Sequence, residues 1–355
     1  MTKNRKFLAL AAQIVAVLAI LVTLSLCFVG CNGDPITDIT PVEFDHDDLG
    51  VAPEAAALEG IDGIDTAKIL ALSDEQTEKV DVKTTATYLF NLANTNLGKV
   101  GWYANKATGN GTATITMGIT ASGDMEVREI RIKDGAAMYM ETMGQVVDGR
   151  LNDGGSAEGI VGMCRNILDY GNRKYTPDGK TFYLQDGGTD VLNGDSLSNF
   201  FTDQLYIDWT KCEKVQSLSV DEFMKQEYYR NNYAETNSSI LNADTVTKAS
   251  VSHNDEYGFY EIELVVDVNS NALELATEST RESADSKDIV FVYQTIKCEI
   301  WDCGLFRYYA TDDSWAGTLK GFLGGTSINE WEKYFTYNKE NAPGLQIPTD
   351  MTWYK

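Results

Sequence analysis

Nucleophilic chemistry without a metal needs a hydroxyl or thiol within hydrogen-bond reach of a base. The chain offers Ser196, set in Gly194-Asp195-Ser196-Leu197-Ser198, and two histidines, His46 and His253. His46 stands in Asp45-His46-Asp47-Asp48, which lacks the length and the spaced Gly of a calcium loop and reads as solvated charge. His253 stands in His253-Asn254-Asp255-Glu256, a turn-like run between two strands. Glu261 and Glu263 share one face of a strand whose other face is apolar, so exposure to water explains both. A glycosidase needs two carboxylates across a cleft, which one strand face does not provide. The sequence contains no CxxC, HExxH or Gly-rich phosphate loop, and neither metal nor cofactor is expected.

The string from Gly194 to Ser198 resembles the nucleophile block of the GDSL esterases, which implies a serine attacking an ester and a downstream Asp-x-x-His supplying the base. Here His253 follows Ala249-Ser250-Val251-Ser252, and no Gly-x-Asn-Asp block lies downstream. The match is read as chance and the protein as no enzyme. Asp195 or Ser196 fits equally as the cap of a helix with the apolar stripe Leu197, Phe200, Phe201 and Leu205.

Cys31 carries the clearest chemistry. Lys3, Arg5 and Lys6 precede an apolar run from Phe7 to Val29, broken only by Gln13, Thr23 and Ser25, and the run closes in Phe28-Val29-Gly30-Cys31. This resembles a bacterial lipoprotein signal, with Phe28 where an aliphatic residue is usual. The resemblance implies cleavage before Cys31 and attachment of lipid to its sulfur. The run also reaches the ~20 residues that span a bilayer, so an uncleaved anchor is the alternative. Both place the chain beyond residue 31 outside the cytoplasm, anchored to the bacterial cell membrane. Residues 1–30 are therefore read as a signal segment, 31–65 as an acidic flexible tether interrupted by Pro35 and Pro41, and 66–355 as a single domain.

Acids outnumber bases 53 to 29 and the net charge is −24, so nucleic acid is excluded as a partner. With Cys27 in the leader and Cys31 acylated, four cysteines remain. Cys164, Cys212, Cys298 and Cys303 allow three disulfide pairings outside the cytosol, and a buried free thiol is the competing reading for Cys298.

Helical character runs from Thr66 to about Leu97, with Tyr88, Leu89, Leu92 and Ala93 on one stripe and Gly98 as a stop. Thr112–Thr120 alternates as a strand. Turns at Ser122-Gly123-Asp124 and Lys133-Asp134-Gly135 are expected to join it to Met125–Ile132 and Ala136–Thr142. Pro177-Asp178-Gly179 predicts another hairpin, and Ile160, Cys164, Ile167 and Leu168 predict a short helix. Ser219-Val220-Asp221-Glu222 predicts a capping box. Tyr260, Ile262, Leu264, Val266 and Val268 mark a strand, followed by a helix over Asn271–Ala284 and strands over Asp288–Trp301 and Leu305–Ala310. The expected fold is α+β, a mainly antiparallel curved sheet of half-barrel type closed by several short helices.

That layout resembles the Lol-type carriers and the mycobacterial lipid-carrier lipoproteins. The resemblance implies an apolar cavity between sheet and helices, with Ile115, Met117, Met138 and Met140 as candidate lining and a lipid or other apolar small molecule as ligand. The expected function is a membrane-anchored, non-enzymatic extracytoplasmic lipoprotein that binds such a ligand. The alternative is a surface-interaction protein that binds glycan or protein without a cavity, for which aromatics such as Trp102, Trp301, Trp315 and Trp331 would supply stacking surfaces.

Overall fold

The computed structural model describes residues 52–69, 80–115, 120–151, 170–187, 192–193, 206–207, 215–225, 241–274, 276–277, 288–319 and 323–338. Strand dominates these residues, which corrects the expected α+β fold closed by helices. The described α-helices are α1 (Val80–Lys99) and α2 (Val220–Lys225). Eleven strands form one antiparallel sheet in the order β8-β5-β4-β3-β2-β1-β13-β12-β11-β10-β9. In chain order these are β1 (Trp102–Ile115), β2 (Thr120–Asp134), β3 (Ala137–Leu151), β4 (Tyr170–Thr176), β5 (Thr181–Gly187) and β8 (Gln216–Ser219). The second group is β9 (Val246–Asn254), β10 (Phe259–Val266), β11 (Val290–Trp301), β12 (Phe306–Leu319) and β13 (Leu323–Thr336). A separate pair joins β6 (Leu192–Asn193) to β7 (Tyr206–Ile207).

Two sequential meanders make up this order, an N-terminal wing (β1 to β5, then β8) and a C-terminal wing (β9 to β13). They join where β1 pairs with β13 over Ala104–Ile115 and Gly325–Thr336. Long strands are the physical reason for the correction. β1, β2, β3, β12 and β13 run 14 or 15 residues and are hydrogen-bonded on both sides, so pairing holds polar and Gly-rich stretches extended against their local preference for turns. Ser122-Gly123-Asp124, expected as a turn, lies inside β2 for this reason. The turns at Gly135 and Gly179 form as expected, each with the positive φ that Gly adopts without strain.

Helix α1 carries Val82, Ala86, Leu89, Phe90 and Ala93 at helical spacing, all buried against the C-terminal wing. The Phe90 ring meets Phe306 edge-on at 6.0 Å and Tyr309 at 6.3 Å. Complete burial of one such ring contributes roughly 2–3 kcal/mol. At the end of α1 the Gly98 carbonyl accepts from Arg131 Nη2 (3.1 Å) and Lys133 Nζ (2.8 Å), cations placed where the helix dipole favours them. Residues 54–65 fall in the stretch read as a tether. Here Glu54 N–H donates to Asn338, Asp62 N–H to Asn96 and Asp65 N–H to Tyr88, while Leu58 and Ile61 pack on the core.

The capping box forms: Ser219 Oγ accepts from Glu222 N–H, and the Glu222 carboxylate accepts from Ser219 N–H at 2.8 Å. It opens α2, whose Phe223 stacks on Phe182 with centroids 3.9 Å apart. Over Asn271–Ala284 the described residues are helical, a 3-10 turn at Asn271–Leu273 and then Glu274, Ala276 and Thr277 in α-helical conformation.

Candidate functional site

Side chains two residues apart on a strand share a face, so the register fixes what meets what. Tyr309 packs under α1, and Asp313, four residues along β12, lies on that same helix-side face. One register row there runs Gln294–Asp313–Asn329–Gly111–Gly123–Gly149 across β11, β12, β13, β1, β2 and β3. Its first half is polar, with Gln294 and Asn329 buried and Asp313 half-buried between them, and its second half has no side chains at all.

Asn329 Nδ2 donates to Asp313 Oδ1 at 2.9 Å, and Ser327 Oγ donates to Asn329 Oδ1 at 2.9 Å. Gln294, Asn329 and Ser327 are 7%, 5% and 1% exposed. Among the described residues Gln294 Oε1 meets no donor. Burial pushes the Asp313 carboxyl up to about 6; the Asn329 bond pulls it down and the neighbouring Asp312 charge pushes it further up. Among the described residues no cation pairs with Asp313. Trp315, opposite Ser327 in register, is buried on one side of this row. On the other side the Trp331 indole lies across β1, close enough that a Cβ at Gly109 would stand 2.5 Å from it. The arrangement is an acceptor-rich, anionic cluster between two indoles.

A second concentration lies on the helix-side face of the N-terminal wing, where the row Tyr103–Arg131–Met140–Lys174–Leu184 crosses five strands. Met140, Met138 two residues away, Phe182 and Leu184 are all at most 3% exposed. Arg131 and Lys174 are buried among them, at 2% and 1%. Arg131 reaches the Gly98 carbonyl and the Tyr103 ring, and its Nε meets no acceptor among the described residues. On the opposite face the Tyr139 hydroxyl donates to Glu141 (2.7 Å), and Arg173 Nε and Nη2 donate to Gln185 Oε1 (2.9 and 2.6 Å).

His253 sits between Asp255 (Nδ1, 2.7 Å) and Asp302 (Nε2, 2.8 Å), joining the β9–β10 turn to the β11–β12 turn. The Asp302 bond raises its pKa above the ordinary imidazole value, partial burial opposes this, and Asp255 adds to the rise. Among the described residues its hydrogen-bond partners are these two aspartates.

Of the sequence-derived candidates, Met138 and Met140 share a buried face, and Ile115 ends β1. Met117, Cys31, Cys164, Cys212, His46 and the 194–198 string lie outside the described residues. Cys298 is a buried free thiol and Cys303 a half-buried one. Trp102, Trp301 and Trp315 are buried, and Trp331 is half-buried. No group of His, Cys, Asp and Glu among the described residues is arranged to hold a metal ion. No helix among them is long and apolar enough to cross a membrane. Sequence reasoning missed Gln294, Asp313 and Asn329. They fall on or beyond strands whose length was not legible, and only the register brings them together.

No protein-family model matches the chain, and no curated protein matches it. Among solved structures, one described as lipid-protein interactions in lipovitellin aligns at a TM-score of 0.26 and 8% identity, over 70% of this chain and 26% of that one. The chain thus spans about a quarter of the lipovitellin chain. The translocator domain of autotransporter NalP from Neisseria meningitidis aligns at 0.19 and 10% identity, over 72% and 99% of the two chains. Pseudomonas putida OprB in its low-pH structure aligns at 0.17 and 8% identity, over 73% and 99%.

Proposed function

We propose that this chain is a membrane-anchored, extracytoplasmic lipoprotein without catalytic activity that binds a lipid-like ligand on the helix-side face of its N-terminal wing. The observation that carries the reading is the company of Met138, Met140, Phe182 and Leu184 with two buried cations, Arg131 and Lys174, on one face. Thioethers adapt to the irregular shape of an acyl chain. Buried cations suit a carboxylate or phosphate headgroup, because a charge-assisted hydrogen bond gains strength away from water. The leader ending at Cys31 supplies the anchor.

A second reading, a surface protein with a protein partner, is favoured by Val290, Val292, Tyr293 and Ile328, exposed at 63%, 58%, 36% and 49% toward one end of the sheet. Mass spectrometry separates the two. Full-length protein taken from membranes in mild detergent is weighed intact, then denatured and extracted with organic solvent. An anionic, acyl-bearing ligand at near one per chain, on a protein whose mass shows lipid at Cys31, is expected. A chain that carries no ligand and takes none up from added membrane lipids would overturn the binding reading and leave the second.

A further inference from the structure

We infer that Asp313 and Gln294 form the floor of a binding site for an organic ammonium group, in the C-terminal wing and independent of the face proposed above. Donors and acceptors are unequal in number along this row. Asp313, Gln294 and Asn329 stand side by side on three adjacent strands, and the bonds donated by Asn329 and Ser327 satisfy one carboxylate oxygen and one amide oxygen. The Gln294 oxygen, in a residue only 7% exposed, still lacks a donor among the described residues. Leaving a buried acceptor unmet costs about 1–3 kcal/mol, and a carboxylate without a counter-charge costs more. Both deficits call for the same missing partner, a positively charged donor of hydrogen bonds.

The surroundings narrow the partner's class. Trp315 and Trp331 flank the row, and an indole face attracts a cation that has left water. Gly111, Gly123 and Gly149 continue the row across three further strands, so no side chain of the row beyond Asn329 competes for the Gln294 oxygen or the Asp313 carboxylate. An anion would meet Asp313 repulsively. A neutral hydroxyl could serve the Gln294 oxygen but would leave the charge unbalanced.

The test is isothermal titration of the full-length protein in detergent with n-butylamine at pH 8, against n-butanol and butyrate. Saturable heat with butylamine at one per chain is expected, with none from the other two. Asp313→Asn and Gln294→Leu should each weaken it about tenfold or more, the loss of one charge-assisted bond. Glu263→Gln, an exposed carboxylate on β10 away from the row, should leave it unchanged and so exclude a general effect of acidity. Butanol binding as well as butylamine, no saturable heat with butylamine, or an affinity indifferent to both site substitutions would overturn the inference. Asp313→Asn keeps the shape and the Asn329 bond, and a melting curve confirms that it folds before its titration is read.

Discussion

A carboxyl that titrates near 6 is still protonated where an exposed aspartate has long been ionised, and the difference belongs to the folded state. Asp313 is such a group, raised mainly by burial. With the folded pKa above the unfolded one, the native state binds the extra proton, so stability is greatest at low pH and falls as pH rises from about 4 to about 6. Two units correspond to roughly 3 kcal/mol. Asp313→Asn removes this slope, and its amide can donate to Gln294 Oε1. We expect the variant to be more stable than the parent by about 1–3 kcal/mol at pH 7.5 in urea unfolding, with the gap closing at pH 4. His253 acts in a separate range. Its pKa is raised chiefly by Asp302, so its contribution is present below the ordinary imidazole value and fades as pH climbs past it. Asp302→Asn should flatten the melting-temperature profile above pH 6.5 and leave the slope between pH 4 and 6 untouched. A profile flattened in both ranges would contradict the assignment of the two slopes to separate groups. Neither residue was legible as a site from its neighbours in sequence. His253 read as a solvated turn because Asp302 is 49 positions away.

Elements whose signal is local were legible, and those held by pairing were not. The hairpins at Gly135 and Gly179 could be read because a tight turn demands a residue that accepts positive φ. The capping box at Ser219–Glu222 could be read because both of its bonds close within four residues. Strand β13 offered no such signal. Gly324-Gly325-Thr326-Ser327-Ile328-Asn329 has neither apolar alternation nor a strand-favouring composition, and it is extended because β1 and β12 hydrogen-bond it on both sides. Helix α1 was legible by its stripe but not by its anchorage. Asn96, fully buried, donates from Nδ2 to the carbonyls of Asp62 (2.8 Å) and Gly304 (2.9 Å) and accepts from Asp62 N–H (2.9 Å). It ties the 52–69 segment and the β11–β12 turn to the helix. Asn96→Ala strands three backbone groups and should cost about 2–4 kcal/mol. It should also raise hydrogen exchange at residues 60–65 and 302–305 together. Exchange confined to one of the two segments would show that Asn96 is not their common anchor.

At the scale of the molecule, the two meanders meet along one strand pair, and the described sheet has no other ladder between the wings. Each wing is built from neighbours in sequence, whereas β1 and β13 are more than two hundred residues apart, so closing that pair costs far more chain entropy than any hairpin. The seam therefore needs packing beyond its hydrogen bonds, and Trp331 over Gly109 supplies it at mid-length. Trp331 stands opposite Gly109 in the ladder, and its ring takes the space a Cβ would fill, with Cδ2 and Cε3 both 2.5 Å from that position. Any side chain at position 109 must push the indole off the seam. Gly109→Ala is expected to cost about 1–3 kcal/mol as overpacking. Because the lost contact bridges the wings, the loss should fall on their coupling more than on either wing. Urea unfolding followed by tryptophan fluorescence and by far-ultraviolet circular dichroism should coincide in the parent and separate in the variant, the signature of a departure from two-state behaviour. Trp331→Leu tests the same point from the other strand: it relieves the crowding at Gly109→Ala, so the double variant should lose less stability than the two single changes added together. Strict additivity would mean that the indole and the glycine are not packed against each other, and that the ladder alone holds the wings.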